Sequence, residues 1–163
     1  MLRKNRKKLI LIILTVLVIF VHPKYYLTLR NRDTRNLYAK YELDEGEWFS
    51  VGYIHSVNKS PVIDYYQIEN KTIYGEECLY YAFGAGVQTE LNPGETLSYT
   101  EDKGMLISNI HHDRTNMGYI VGTVSDHTLC LYNMDRELIE EISLRTLCGR
   151  NAPVRFNYEL CLF

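Results

Sequence analysis

The chain from Trp48 onward alternates between short apolar runs and clusters of turn-forming residues. In the run 48–57 the side chains from Phe49 to Val57 fall alternately on two faces, as they do in a β-strand. Clusters such as Asn92-Pro93-Gly94-Glu95 separate these runs, at the roughly 8–12-residue spacing that is typical of sandwiches and barrels. The pattern predicts an all-β fold, an antiparallel β-sandwich or small barrel of about 8–9 short strands.

Individual elements can be placed along this pattern. An edge strand is expected at 38–43, a tight hairpin at Glu69-Asn70-Lys71, and a short helical turn at 143–147 that Cys148-Gly149 ends. The abundance of Tyr (14, against 5 Phe and 1 Trp) also favours strands, because aromatic side chains pack well on half-buried sheets. Further strands are expected near 62–69, 72–83, 96–100, 104–110, 119–124, 128–132, 137–142 and 154–162.

The N-terminus carries a membrane signal. Five basic residues precede the apolar run 9–21, which is about 20 Å long as a helix and therefore short for a bilayer core of about 30 Å. Flanking lysines and Tyr25-Tyr26 can extend the span into the interface, and no small-residue cleavage site follows the run. An uncleaved signal anchor is predicted, with a cleaved signal peptide as the alternative.

The anchor defines the expected domain organisation. Residues 1–24 are predicted to form the transmembrane segment, residues 25–37 a linker, and residues 38–163 an extracytoplasmic β domain. Because positive charge is retained on the cytoplasmic side, the N-terminus is expected in the cytoplasm and the domain outside a single-pass cell-membrane anchor.

The charge distribution excludes nucleic acid as a partner. The whole chain has a formal net charge of −2, but the first 35 residues hold nine basic side chains and one acidic one. The remaining residues hold 9 basic and 19 acidic side chains, and a body of that balance repels phosphate backbones.

The four cysteines, Cys78, Cys130, Cys148 and Cys161, are widely spaced and form no CxxC pair. This spacing argues against a structural zinc site. Either one or two disulfides or buried free thiols are compatible with the count.

The segment between two predicted strands, His55-Ser56-Val57-Asn58-Lys59-Ser60-Pro61, is the first candidate site. Adjacent residues of a strand point to opposite faces, so His55 and Ser56 make a poor base–nucleophile pair. His55 is better suited to pair with a serine from elsewhere in the chain, or to act with Lys59 as an anion clamp. The structural alternative is a polar cluster that satisfies the backbone of a proline-containing turn.

Two further segments carry candidate residues. Phe83-Gly84-Ala85-Gly86 allows close backbone approach or amide contacts to an anion, although a bulge or sharp turn explains the same glycines. Ser125-Asp126-His127 and His111-His112-Asp113 place carboxylates beside histidines, where a carboxylate can orient the ring. The spacing of the histidines carries no metal signature, so no metal and no cofactor is expected.

These residues resemble the bacterial domain of unknown function 1850 family. The family pattern is Tyr-Ile-His-Ser-Val-x-Lys-Ser/Thr-Pro-Val with an acidic residue and Tyr, then Phe-Gly-Ala-Gly, then His-x-Leu. Two departures stand out: Asn58 replaces a usual Glu, which weakens any acid–base mechanism, and Val87-Gln88 replaces Leu-Pro. The matching residues are Tyr53 to Val62, Asp64, Tyr66, Phe83 to Gly86, His127 and Leu129.

The resemblance implies a small exported or membrane-anchored protein with no established activity, associated with tripartite (TRAP-type) transporters of the TAXI class, which take up organic anions. A non-catalytic accessory module that contacts such a transporter or its solute-binding protein is therefore expected. A small hydrolase with His55 or His127 as general base, and a purely structural strand-turn-strand clamp, are the alternatives. The predicted binding residues are His55, Ser56, Lys59, Ser60, Asp64, Gly84, Gly86 and His127.

Overall fold

The computed structural model describes residues 6, 8, 23–82, 88 and 90–161. Within these residues the chain forms twelve strands and one short helix. The elements are β1 (Lys24–Asn31), β2 (Leu37–Tyr41), β3 (Trp48–Ile54), β4 (Pro61–Glu69), β5 (Thr72–Tyr80), β6 (Thr96–Tyr99), β7 (Met105–Ser108), β8 (His112–Asp113), β9 (Gly118–Ile120), β10 (His127–Tyr132), β11 (Leu138–Ser143), α1 (Leu144–Cys148) and β12 (Pro153–Cys161).

The strands form two antiparallel sheets, so the predicted all-β class is confirmed. The smaller sheet has the order β2-β1-β12-β9, and the larger has the order β11-β10-β3-β4-β5-β7-β6, with β8 paired to β5. Inward-facing residues of both sheets share one hydrophobic core; for example, Phe49 of β3 stacks on Phe156 of β12 with ring centroids 6.0 Å apart. This arrangement is consistent with the expected sandwich.

Two local predictions are confirmed. Asn70 and Lys71 both have positive φ (50° and 59°), as a tight type I′ turn requires, and they join β4 to β5 as the expected hairpin. The helical turn is α1: the Ser143 side chain accepts a hydrogen bond from the amide of Thr146, and Gly149, with φ 92°, ends the helix.

The segment before residue 38 requires a correction. Residues 24–31, which the sequence analysis assigns to the anchor's end and the linker, form β1 and pair with β12 along its length. Leu27, Thr28 and Leu29 are completely buried. Residues 32–36, which the sequence analysis assigns to the linker, form the turn between β1 and β2, where Arg35 adopts a positive φ.

The predicted anchor, residues 9–21, lies outside the described residues. Among the residues that the structure does describe, no helix is long and apolar enough to cross a membrane. All four cysteines are free thiols and partly buried, so the free-thiol alternative holds in this structure.

The inner face of the larger sheet carries two hydrophobic clusters. The main core lies between the sheets, whereas a smaller cluster is built only from strands of the larger sheet: Val62 of β4, Tyr80 of β5, and Met105 and Ile107 of β7. The smaller sheet ends at its edge strand β9. Part of the larger sheet's inner face therefore forms a cluster with no described strand of the smaller sheet, and the candidate site lies there.

Candidate functional site

A cleft of about 1180 Å³ opens beside the end of β3 and the inner faces of β4 and β5. Five of the predicted binding residues line it: His55, Ser56, Lys59, Asp64 and His127. Residues up to 72 positions apart in the sequence, from His55 to His127, thus meet at one surface.

The other three predicted residues are placed differently. Ser60 is not among the described residues that line the cleft, and its Oγ is buried without a hydrogen-bond partner in the described part of the chain. Gly84 and Gly86 fall outside the described residues.

The turn 55–60 is held by its backbone. The amide of His55 donates to the carbonyl of Ser60 (2.9 Å), and the amide of Lys59 donates to the carbonyl of His55 (3.0 Å). Lys59 itself has a positive φ of 55°. The Asn58 side chain donates to the carbonyl of Ala82 (3.1 Å), so it ties the turn to the residues that follow β5. The backbone geometry leaves the Lys59 side chain exposed at the cleft.

His127 is a neutral imidazole built into the wall of the cleft. Its ring stacks on Tyr53, with centroids 5.1 Å apart, and its Nδ1 accepts a hydrogen bond from the amide of Gly122 (3.1 Å). Burial lowers the pKa of His127. A neutral ring whose Nδ1 is an acceptor carries its proton on Nε2, so His127 offers a hydrogen-bond donor.

The expectation that Asp126 orients this ring is wrong. Its carboxylate instead accepts hydrogen bonds from the amides of His127 (2.7 Å) and Arg145 (2.9 Å) and from the Ser143 hydroxyl. These donors surround the start of α1, where a carboxylate satisfies free backbone amides. Asp126 therefore serves the helix terminus and not the imidazole.

Asp64 is a carboxylate on the inward face of β4, between Val62 and Tyr66. The Tyr119 hydroxyl from β9 donates to it (2.8 Å) and lies 2.6 Å from the Tyr66 hydroxyl. Cys78 is the register partner of Asp64 on β5. Burial raises the pKa values of Tyr66, Tyr119 and Cys78, and the nearby Asp64 charge adds to this effect, so all three groups keep their protons at neutral pH.

Two cations line the cleft, Lys59 and Arg114. Neither forms an ion pair or a side-chain hydrogen bond with any residue that the structure describes. Arg114 lies across Gly75 of β5: a Cβ built on this glycine would be 3.1 Å from Arg114 Cγ. The glycine therefore provides the space in which the arginine lies against the sheet.

The acidic side chains of the cleft are all engaged. Besides Asp64, Glu77 makes two contacts to Arg136 (3.0 and 2.7 Å), and Asp113 accepts a hydrogen bond from the amide of Thr115 (2.7 Å). Glu95 accepts from the amide and side chain of Asn92 and from the side chain of Gln88, and these hydrogen bonds lower its pKa. The cleft's carboxylates are thus occupied by internal donors, whereas its two cations have no hydrogen-bond or ion-pair partner in the described part of the chain.

Arg114 and Tyr119 were missed by sequence reasoning. Arg114 lies in a polar stretch without periodicity, and only the pairing of β8 with β5 carries it to the cleft. The sequence analysis places Tyr119 within a strand, but alternation alone does not indicate that its hydroxyl reaches Asp64 on the opposite sheet. The four histidines considered for a metal site do not gather: His55, His112 and His127 line the cleft, whereas His111 pairs with Glu76.

Comparison with known proteins gives one match. The family model described as Domain of unknown function (DUF1850) matches residues 49–138, which is more than half of the chain. These residues include β3 from its second residue, all of β4 to β10, and every described residue that lines the cleft. No curated protein matches the chain, and no solved structure does.

Proposed function

The chain belongs to the family described as domain of unknown function DUF1850, and from this premise we propose that it is a non-catalytic binding module whose cleft holds an organic anion. The family match by itself specifies no chemistry. The proposal therefore depends on the side chains that the fold brings together at the cleft.

The proposal rests on the contrast between the basic and the acidic side chains that line the cleft. Lys59 and Arg114 have no partner among the described residues, while each lining carboxylate already accepts internal hydrogen bonds or an ion pair. A carboxylate ligand would satisfy the free donors, and a guanidinium can bind a carboxylate through two parallel hydrogen bonds.

The rest of the lining suits the body of an organic ligand. Val62, Tyr80 and Ile107 give the cleft an apolar wall, and the neutral His127 adds a hydrogen-bond donor at its side. Small-molecule sites typically combine such apolar walls with a few convergent polar groups. We infer a carboxylate with a partly apolar body as the ligand class.

The geometry gives no support to the alternative hydrolase. The Nδ1 of His127 already accepts a hydrogen bond, and its other nitrogen carries the proton, so the ring is not arranged as a general base. His55 Nδ1 accepts from the amide of Val57 at 3.3 Å and meets no described serine or cysteine side chain. The raised pKa of Cys78 keeps this thiol protonated and weakly nucleophilic.

We also propose the setting in which this module works. The apolar run 9–21 would anchor the domain on the outer side of a bacterial cell membrane. There it would assist a TRAP-type transporter of organic anions or its solute-binding protein, as the family resemblance implies. An anion-binding cleft on a membrane-tethered domain suits such a role, because tethering raises the local concentration of the module near the transporter.

A panel of carboxylates tests the ligand class. The full chain is heated with aliphatic and aromatic carboxylic acids and, in parallel, with the corresponding uncharged amides. We expect at least one carboxylate to raise the melting temperature more than its amide does, because a ligand that binds only the folded state stabilises it.

Two arginine variants provide the control. Arg114→Gln is expected to abolish the carboxylate-specific shift, whereas Arg150→Gln, at an exposed arginine outside the cleft lining, is expected to preserve it. A shift that survives Arg114→Gln, or carboxylates that never exceed their amides, would refute the proposal.

A further inference from the structure

Three metal-ligating side chains meet outside the cleft lining. Glu69 at the end of β4, Glu76 in β5 and His111 before β8 each offer a ligand atom, and these atoms all lie within 4.8 Å of one another. A metal ion with bonds of about 2.0–2.2 Å holds neighbouring ligand atoms roughly 3–4 Å apart. Small side-chain adjustments therefore suffice to bring the three atoms onto one ion.

Two of the three side chains are held in place. The His111 ring lies parallel to the Tyr74 ring, with centroids 4.4 Å apart, and its Nδ1 is 2.8 Å from Glu76 Oε1. Glu76 stands at the register irregularity between β4 and β5, since Tyr65 pairs with Glu77 whereas Tyr66 pairs with Gly75. Its side chain is only 14% exposed. Such bulges redirect side chains and recur beside functional sites.

The two carboxylates have little compensating charge. Glu76 pairs only with His111, and Glu69 accepts a hydrogen bond only from the neighbouring Asn70 side chain (3.3 Å) among the described residues. The lysine of the same hairpin does not neutralise them, because Lys71 Nζ lies over the Tyr25 ring at 5.2 Å. A cation placed between the three side chains would relieve the repulsion between the carboxylates.

We propose that Glu69, Glu76 and His111 bind a divalent transition-metal ion. One imidazole nitrogen and two carboxylate oxygens form a mixed donor set that Zn²⁺ accepts, whereas Mg²⁺ and Ca²⁺ prefer oxygen alone. Three protein ligands leave the remaining coordination positions to water.

The metal would join two parts of the fold. Glu69 and Glu76 belong to the β4–β5 hairpin, and His111 begins the segment that carries Arg114 to the cleft. Bound metal would therefore fasten that segment to the hairpin. The metal site is nevertheless separate from the carboxylate site. Its existence does not depend on the function proposed above.

Isothermal titration of the full chain with ZnCl₂ tests the site, after chelator treatment and in the presence of a non-thiol reductant. We expect one zinc ion per chain in the wild type. Removing a ligand should weaken binding at least roughly ten-fold, since even supporting residues around metal ligands contribute about 10–100-fold. Both His111→Ala and Glu69→Gln should show this loss.

The neighbouring histidine is the matched control. His112→Ala changes an adjacent exposed histidine that is not part of the group, and it should leave the zinc affinity within about two-fold of the wild type. Glu69 is exposed and lies at a hairpin end, so Glu69→Gln decides the question even if His111→Ala impairs folding. The proposal is overturned if the wild type binds no zinc up to millimolar concentration. It is equally overturned if Glu69→Gln binds zinc like the wild type, as a site built from the free cysteines would.

Discussion

His127 places a titratable ring where the fold favours its neutral form. Burial lowers its pKa in the folded chain, whereas the unfolded chain titrates near the ordinary value of about 6.5. The unfolded state therefore binds the proton more readily, and protonation favours unfolding. The contribution of His127 to stability is complete above about pH 6.5 and is lost as the pH falls from there through the folded-state pKa.

This linkage gives a prediction for the pH dependence of the free energy of unfolding. In urea titrations between pH 5 and 8, His127→Gln should flatten the loss of stability on the acid side. His112→Gln, at an exposed histidine, should leave the slope unchanged. Parallel slopes in the wild type and His127→Gln would contradict the placement of a neutral imidazole.

Gly75 gives a second prediction at the residue scale. A Cβ at this position would press on Arg114 Cγ at 3.1 Å, and the exposed arginine can move away at little cost. Alanine also restricts the unfolded chain more than glycine does, which is worth about 0.5–1 kcal/mol. Gly75→Ala should therefore keep or raise the stability measured in urea while lowering the affinity for a carboxylate several-fold. Unchanged affinity would mean that the position of Arg114 over Gly75 is unimportant.

The site was predictable from the sequence only where its residues lie in one local motif or matched the family pattern. His55, Lys59, Asp64 and His127 were named in this way, and all four line the cleft. Arg114 could not be found, because its position depends on a two-residue pairing of β8 with β5. That pairing has no signature in a polar loop.

Tyr119 connects the two sheets at the level of elements. It stands on β9, the edge strand of the smaller sheet, and its hydroxyl donates to Asp64 on β4 of the larger sheet. Tyr119→Phe would leave a partly buried carboxylate and the Tyr66 hydroxyl without this partner. The expected cost is about 1–3 kcal/mol, the usual penalty for an unsatisfied buried polar group.

Urea unfolding of Tyr119→Phe measures this cost. Tyr99→Phe is the matched control, because Tyr99 lies on the edge strand β6 with its side chain 69% exposed, and it should change stability by less than about 0.5 kcal/mol. Equal stabilities for the two variants would show that the Tyr119–Asp64 contact does not hold the sheets together.

The elements that are best predicted from the sequence are those bounded by turn-forming or helix-capping residues. The β4–β5 hairpin and α1 follow from Asn70-Lys71 and from Ser143 and Gly149, residues whose local geometry decides the turn. The sequence does not reveal β1, because its apolar residues adjoin the apolar run 9–21 and a polar cluster, which together hide its alternation. Its strand conformation depends on pairing with β12, near the other end of the chain.

At the scale of the whole molecule, the apolar run 9–21 predicts where the domain is held. Fractionation of cells that produce the full chain should find it in the membrane fraction, with the β domain open to protease added outside the cytoplasmic membrane. A variant that lacks residues 1–22 should be released from the membrane, because the apolar run is gone. Recovery of the full chain in the cytoplasmic fraction would contradict the predicted anchor.

The unequal width of the two sheets explains why the cleft exists. The smaller sheet stops at β9, and the inner face of the larger sheet beyond it is lined with donors and apolar side chains that no described strand covers. A sandwich with sheets of unequal width therefore creates a site without a dedicated binding domain. Arg114 is expected to bind a carboxylate on this part of the larger sheet's inner face.

The affinity of Arg114→Gln for a carboxylate is the decisive measurement for this binding site. The carboxylate that stabilises the wild type most is titrated calorimetrically into the wild type, Arg114→Gln and Arg150→Gln. We predict that Arg114→Gln binds at least roughly ten-fold more weakly, as expected when a charge-assisted hydrogen bond is lost, and that Arg150→Gln binds like the wild type. Equal affinities of Arg114→Gln and the wild type would show that the anion binds elsewhere and would contradict the account.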